Sequence, residues 1–165
     1  MVKIRTLPNF RIHYLSYFDQ YITPNVLNGA SGNFITGALT ATTVSDPVVL
    51  VEPRELALNF TVQSVSGTSP TLDIYLDILD PVQPQNKNVT STENPPLLSL
   101  KLDPTQITGA QTLRVVIAYG TATAWEGGTA TVLGNLNVPV RFQVRFVIGG
   151  TSPSFGVIAT FEARE

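Results

Sequence analysis

Four stretches of this chain place an apolar residue at every second position, and this pattern most constrains its fold. The four apolar sets are Leu56/Leu58/Phe60/Val62, Leu72/Ile74/Leu76/Ile78, Val140/Phe142/Val144/Phe146 and Phe155/Val157/Ala159/Phe161. An alternation of period two is typical of a β-strand with one buried face. Further strands are predicted at 33–44, 112–120 and 129–134, the second with Leu113, Val115 and Ile117 inward. No segment after residue 33 has the 3.6-residue period of a helix, so the sequence predicts an all-β fold.

The tetrapeptide Gly-Thr-Ser-Pro occurs twice, at 67–70 and 150–153, each time between two alternating runs. Glycine accepts positive φ, Thr and Ser hydrogen-bond to nearby backbone, and proline suits the first residue of a strand. We therefore predict two hairpin reversals. The inward positions stay even across the first motif but change from even to odd across the second, so one strand pair needs an extra residue, and the bulge is predicted within 63–67. A reversal near residue 151 also sets Arg141 opposite Glu162 as an exposed ion pair.

Composition narrows the class of protein further. The 165 residues suit one domain, and charged residues make up 13%, about half the usual share. A net charge of −2 predicts no nucleic-acid partner, and no apolar run is long enough to predict a membrane span. The first residues lack the apolar segment of a secretory signal, and the absence of cysteine excludes disulfides and thiolate sites. We expect an antiparallel β-sandwich, jelly-roll-like or Greek-key, at residues 34–165.

Residues 1–33 differ in composition from the rest of the chain, and we predict that they form an extended N-terminal arm with a hinge. Five aromatic residues fall within twelve positions, basic residues lie nearby, and 25–33 is rich in Asn, Gly and Ser. The segment either closes its own core or docks on a neighbouring subunit, because Tyr and Phe are common at interface cores. For docking, the predicted contact residues are Arg5, Phe10, Arg11, Tyr14, Tyr17, Phe18 and Tyr21.

Few residues offer catalytic chemistry. His13 is the only histidine, and no nucleophile-elbow pattern accompanies it. Asp73 and Asp77 would lie about 13 Å apart on one strand, too far to share a metal ion, and together with Asp80 are predicted to be solvated. We therefore predict no enzyme activity, no cofactor and no metal site. Trp125, which we place on a loop, either caps the sandwich or binds a partner or a sugar ring.

Two segments carry a family resemblance. "SGTSPTLDIYLDIL" (66–79) and "VPVRFQVRFVIGGTSPSFGVIATFEARE" (138–165) resemble parts of small structural proteins of tailed-bacteriophage virions. The resemblance implies a virion location and a capsid decoration (cement) or capsid-shell role, with a neck or tail component as the alternative. It implies homo-oligomers, trimers favoured, and contacts with major capsid or tail proteins. A carbohydrate-binding sandwich, with Trp125 and Tyr119 as stacking faces, is the alternative from another class.

Overall fold

The computed structural model describes residues 2–3, 13–14, 31–50, 53–80 and 96–164. All regular structure in these ranges is β, as predicted. The strands are β1 (Val2–Lys3), β2 (His13–Tyr14), β3 (Ser31–Leu39), β4 (Thr43–Val44), β5 (Val48–Val49), β6 (Glu55–Ile78), β7 (Leu98–Lys101), β8 (Gln111–Ala118), β9 (Thr121–Glu126), β10 (Thr129–Asn135) and β11 (Arg141–Arg164). β1 pairs with β2, and the other nine strands form one continuous antiparallel sheet.

Two strands of 24 residues, β6 and β11, pair along their whole lengths and form the spine of the sheet. The first half of β6 and the second half of β11 lie in the middle of a larger layer, in the order β10-β9-β8-β6-β11-β3. The other two halves form a smaller layer, in which β7 extends β6 while β4 and β5 extend β11. The sheet bends between these halves, so the same two strands belong to both layers.

Aromatic contacts show that the two layers face each other across one core. The ring centroids of Phe60, in the larger layer, and Phe146, in the smaller one, lie 6.1 Å apart, edge to face. Phe161 and Phe142 form a second such pair at 6.3 Å. All four rings are fully buried, and edge-to-face packing at this distance is favourable for aromatic rings. The fold is therefore an antiparallel β-sandwich closed along one side by its own bent strands.

The prediction of two hairpin reversals is wrong, because the two Gly-Thr-Ser-Pro segments lie opposite each other in the β6–β11 pair. Thr68 is the partner of Thr151, and the ladder shifts register on either side of this pair. Both segments have the same backbone, with φ of +114° and +107° at the glycines and 48° and 49° at Ser69 and Ser152. The left-handed residues bend two strands at the same point without reversing either chain. We call residues 67–70 and 150–153 together the corner.

The predicted bulge is confirmed. Gly156 pairs with Ser64 and Val157 pairs with Val62, so Gln63 is an extra residue in β6. From this point the even residues of β6 lie beside the odd residues of β11, and both sets face the core. The change of parity that the sequence displays is therefore located within 63–67, as predicted, although the strands that it concerns do not form a hairpin.

The prediction of an ion pair between Arg141 and Glu162 is also wrong, because it assumed a hairpin reversal near residue 151. Arg141 lies in the smaller layer opposite Val49, whereas Glu162 lies in the larger layer opposite Ala57. Arg141 is only 4% exposed and donates from Nη1 to the carbonyl oxygen of Asp80 at 2.6 Å. Val140 precedes β11 and is exposed, so its predicted inward orientation is not observed.

Candidate assembly and binding surfaces

The larger layer ends in two strands that lack the charged residues and prolines common at sheet edges, although each contains one bulge, at Leu133 in β10 and at Phe34 in β3. Among the described residues, β10 pairs only with β9, and β3 pairs only with β11. Their sequences, "TATVLGN" and "SGNFITGAL", contain no charged residue and no proline. Soluble proteins commonly place lysine, proline or an inward charge on such edges, because the unpaired N–H and C=O groups otherwise recruit another strand.

β10 is exposed on both of its faces as well as along its edge. Residues 129–132 are all exposed, and the side chain of Val132 is 67% exposed. On the opposite margin, Gly37 and Ala38 of β3 are exposed and Leu39 is buried. Residues 129–132 of β10 and residues 37–38 of β3 are therefore accessible and uncharged.

The margins of the smaller layer are built differently. β4 and β5 have two residues each, too few to template a long pairing. β7 has four residues and ends at Lys101, whose ammonium group contacts Asp73 at 2.8 Å and Asp103 at 3.3 Å. Short strands and a charged edge are recognised devices against unwanted pairing. The contrast indicates that the long, uncharged margins belong specifically to the larger layer.

Trp125 lies on strand β9, and the prediction of a loop position is wrong. The turn begins only at Gly127 and Gly128, both of which have positive φ, so the strand continues through the indole. Ala122 and Ala124 face the core, and alternation turns Trp125 outward, where it is 39% exposed. Small alanine side chains at the inward positions gave this strand a weak sequence signal.

The outer face of the larger layer has a shallow depression of about 300 Å³ beside this indole, lined by Arg114, Val116 and Trp125. Arg114 is the cross-strand partner of Trp125, is exposed, and makes no ion pair with any residue in the described ranges. The depression therefore combines a planar aromatic face with an available guanidinium group. Tyr119 is fully exposed in the β8–β9 turn, five residues from Arg114 or about 17 Å by strand rise. The structure does not bring Tyr119 and Trp125 to one site.

The outer face of the smaller layer carries an organised ion pair. Arg145 donates from Nε to Asp77 Oδ2 at 2.7 Å and from Nη2 to Oδ1 at 3.0 Å. Ser99 donates its hydroxyl to the same carboxylate, and the guanidinium lies 4.6 Å from the centroid of the Tyr75 ring. Asp77 is 1% exposed, so the prediction of a solvated carboxylate is wrong for this residue. Hydrogen bonding to Asp77 raises the pKa of Arg145, against the opposing effect of burial.

A second charged cluster joins β6, β7 and the segment after β7. Burial raises the pKa of Asp103 to about 6, although its Oδ1 accepts a hydrogen bond from the Ile74 N–H at 2.7 Å. Burial by itself would raise the pKa of Asp73, but the hydrogen bonds from Lys101 and Gln106 outweigh this effect and lower the pKa. The hydrogen bond to Asp73 raises the pKa of Lys101. These partners hold strands together, and the charges are used within the cluster.

The remaining site predictions fall mostly on other parts of the chain. Of the predicted arm contacts, only Tyr14 has a described position, as the backbone partner of Val2 in β2. The others, Arg5, Phe10, Arg11, Tyr17, Phe18 and Tyr21, lie outside the described residues. β3 begins at Ser31, three residues before the predicted start of the sandwich. Within the described ranges, no group of three or more His, Cys, Asp or Glu side chains is placed to hold a metal ion, and no helix has the length and hydropathy to cross a membrane.

Comparison with known proteins gives distant likenesses of fold. No protein-family model and no curated protein matches the chain. The NHR domain of Neuralized from Drosophila melanogaster is 10% identical over 78% of this chain and 91% of that domain, with a TM-score of 0.43. A β-fructofuranosidase of Aspergillus kawachii is 12% identical over 92% of this chain and 30% of its own, at 0.42. An alginate lyase from Alteromonas sp. 272 is 13% identical over 88% and 84%, at 0.35. Some similar structures are thus enzymes, and the chain spans less than a third of the fructofuranosidase.

Proposed function

We propose that this protein is a structural protein that acts by assembling with copies of itself. The observation that carries the proposal is the pair of long, uncharged edge strands, β3 and β10, at the two ends of one layer. A long edge without charge or proline is an aggregation hazard for a protein that stays alone, whereas in an assembly the same edge becomes an interface. The low charged fraction of the chain, 13%, favours the same interpretation.

The narrower proposal places this assembly in a bacteriophage virion, as a capsid decoration or capsid-shell protein, with a neck or tail component as the alternative. Its support is the resemblance of segments 66–79 and 138–165, which form most of the smaller layer's centre, the second half of β11 and the corner. The proposed partners are further copies, with trimers favoured, and major capsid or tail proteins. The role requires no catalytic residue, and the proposal includes none.

Sedimentation velocity over a range of protein concentrations tests the broader proposal. We expect oligomers that dissociate when Val132→Lys introduces a charge on β10. Leu97→Lys is a matched control, because Leu97 is 66% exposed against 67% for Val132 but lies beside the smaller layer. A wild-type chain that remains monomeric at high concentration would refute self-assembly. Co-sedimentation with empty phage capsids tests the virion proposal separately, and failure to bind any capsid, neck or tail preparation would refute it.

The predicted arm is the second contact surface in this proposal, with Phe10, Tyr14, Tyr17, Phe18 and Tyr21 as apolar contacts and Arg5 and Arg11 as partners for carboxylates of a neighbour. Deletion of residues 1–24 should weaken assembly and leave the far-ultraviolet circular dichroism of the sandwich unchanged. A truncated chain that assembles as tightly as the full chain would contradict arm docking. An unfolded truncated chain would assign the arm to its own core.

Carbohydrate binding is a second candidate function, favoured by the depression beside Trp125. An indole face stacks on the apolar face of a sugar ring, and Arg114 would favour a sugar that bears a carboxylate. Titration with uronic-acid oligosaccharides should then quench the fluorescence of Trp125, the only tryptophan in the chain. Arg114→Gln should weaken that response. A fluorescence signal that neither acidic nor neutral oligosaccharides alter would exclude this candidate.

A further inference from the structure

We propose that the copies join head to tail, with β10 of one subunit paired antiparallel to β3 of the next, so that the larger layer continues from subunit to subunit. This inference rests on the proposed function and adds the partner strand and the polarity of the contact. It concerns only the two margins of the larger layer and makes no use of the depression beside Trp125.

The direction of the strands carries the first step. All neighbours in the order β10-β9-β8-β6-β11-β3 are antiparallel, so the direction of the chain alternates across the six strands. The first and last strands of an even number therefore run in opposite directions. A second copy brought alongside in the same orientation presents β3 antiparallel to β10. The hydrogen-bonding pattern of the layer then continues across the boundary without inverting the subunit.

The lengths and the composition of the two margins match. β10 has seven residues and β3 has nine, which correspond to about 23 Å and about 30 Å of extended chain. Neither strand has a charge that would oppose its partner. Among the residues that favour β-structure, Thr occurs in both strands, Val in β10 and Ile in β3. Regular ladders are available on each side: Thr129–Val132 pair with β9, and Ile35–Leu39 pair with β11, without a register shift.

A two-fold contact between identical margins is the competing arrangement. Two copies of β10 would also pair antiparallel, but that dimer would leave both β3 margins exposed and uncharged. A contact between β10 and β3 covers one margin of each kind, so a single type of interface covers all margins once the assembly closes. Head-to-tail contacts of this kind close into rings or continue as filaments, according to the rotation between subunits.

Cysteine cross-linking distinguishes these arrangements, because the chain contains no cysteine of its own. Ala130→Cys on β10 and Ala38→Cys on β3 are both at exposed positions. Each single variant is purified, one is labelled with heavy isotopes, and the two are mixed and treated with a short bis-maleimide reagent. Mass spectrometry then counts cross-linked pairs between the two variants and within each variant.

Head-to-tail pairing predicts that pairs joining the two variants exceed those within either variant by about tenfold or more. Ala130→Cys cross-linking to itself as efficiently as to Ala38→Cys would overturn the inference in favour of two-fold contacts. Oligomers in sedimentation without any cross-link between the variants would overturn the pairing of β10 with β3 and leave self-assembly standing. A monomeric protein in sedimentation would overturn both. As a positional control, Gly109→Cys, in the segment between β7 and β8, should give no enrichment with either variant.

Discussion

Replacing Gly67 or Gly150 by alanine tests directly whether the two segments of the corner pack against each other. A Cβ atom on Gly67 would lie 2.7 Å from the carbonyl oxygen of Ser152 and 2.9 Å from the Cα of Pro153. A Cβ atom on Gly150 would lie 2.7 Å from the carbonyl oxygen of Ser69. The atoms in the way belong to the backbone of the opposite strand, so no side-chain rotation relieves the overlap. Either substitution must separate the two strands or change the bend.

The expected loss of stability has two parts. Alanine at a φ of +114° or +107° adopts a sparsely populated conformation, at a cost of about 1–3 kcal/mol. Forcing a methyl group into a closely packed site adds about 1–3 kcal/mol. We therefore expect the free energy of unfolding of each variant to be about 4 kcal/mol lower than that of the wild type, within a range of about 2–6 kcal/mol. The double variant should lose less than the sum of the single losses, by about 1 kcal/mol or more, because both methyl groups separate the same two strands.

Alanine substitutions at two other glycines separate the conformational cost from the steric cost. Gly128 has φ +86° and no atom within 4 Å of a Cβ, so Gly128→Ala carries only the conformational cost. Gly109 has neither a left-handed φ nor a close neighbour, and Gly109→Ala should leave the free energy of unfolding within about 1 kcal/mol of the wild type. Urea denaturation followed by circular dichroism, at a fixed concentration where sedimentation finds equal oligomeric states, gives the comparison. Equal losses of unfolding free energy in Gly67→Ala and Gly128→Ala would refute the inference that the two segments of the corner pack directly against each other. Strictly additive losses in Gly67→Ala and Gly150→Ala would refute it as well.

Two further predictions concern the charged clusters of the smaller layer. Burial raises the pKa of Asp103 from its ordinary 3.8 to about 6, so the folded state holds this proton more tightly than the unfolded state. Stability should therefore fall as pH rises through this range, by about 2 kcal/mol between about pH 4.5 and about pH 7.5. Asp103→Asn should remove most of that decline in urea denaturation at pH 4.5 and 7.5, and a variant that keeps the full decline would contradict it. Arg145→Ala should cost about 3–5 kcal/mol in the free energy of unfolding, because it leaves the carboxylate of Asp77 buried without its cation. The loss should shrink when Asp77→Asn is present, and a loss below about 1 kcal/mol in the single variant would indicate an ordinary surface pair.

Alternation of side chains predicted the core because it depends only on neighbours along the chain. Fourteen of the sixteen residues in the four inward sets are buried, the exceptions being Ile78, which is half-buried, and Val140, which is exposed. The mismatch of parity predicted a bulge within 63–67, and the structure places it at Gln63. A face assignment follows from the pleat of a single strand and needs no knowledge of its partner. This is why the strands and the bulge were predictable while the strand partners were not.

The sequence signal at the corner was ambiguous for a physical reason. Glycine, serine and proline mark a departure from a regular ladder, but the same residues serve a reversal and a bend of two paired strands. The choice depends on which strand lies alongside, and that strand is far away in the sequence. Likewise, whether the charge-free segments 31–39 and 129–135 are margins or central strands depends on the order of the whole layer. The candidate assembly surface therefore required the structure.

The repetition of Gly-Thr-Ser-Pro has an explanation in the symmetry of antiparallel strands. Two antiparallel strands are related by local two-fold axes, so when both bend at one point each meets the same steric conditions. The distances agree: a Cβ on Gly67 would approach Ser152, and a Cβ on Gly150 would approach Ser69, each at 2.7 Å from the carbonyl oxygen. One tetrapeptide therefore suits both strands, and the segments between the two copies need not resemble each other. The repeat reports a contact in space, and that contact holds together the bent spine from which both uncharged margins extend.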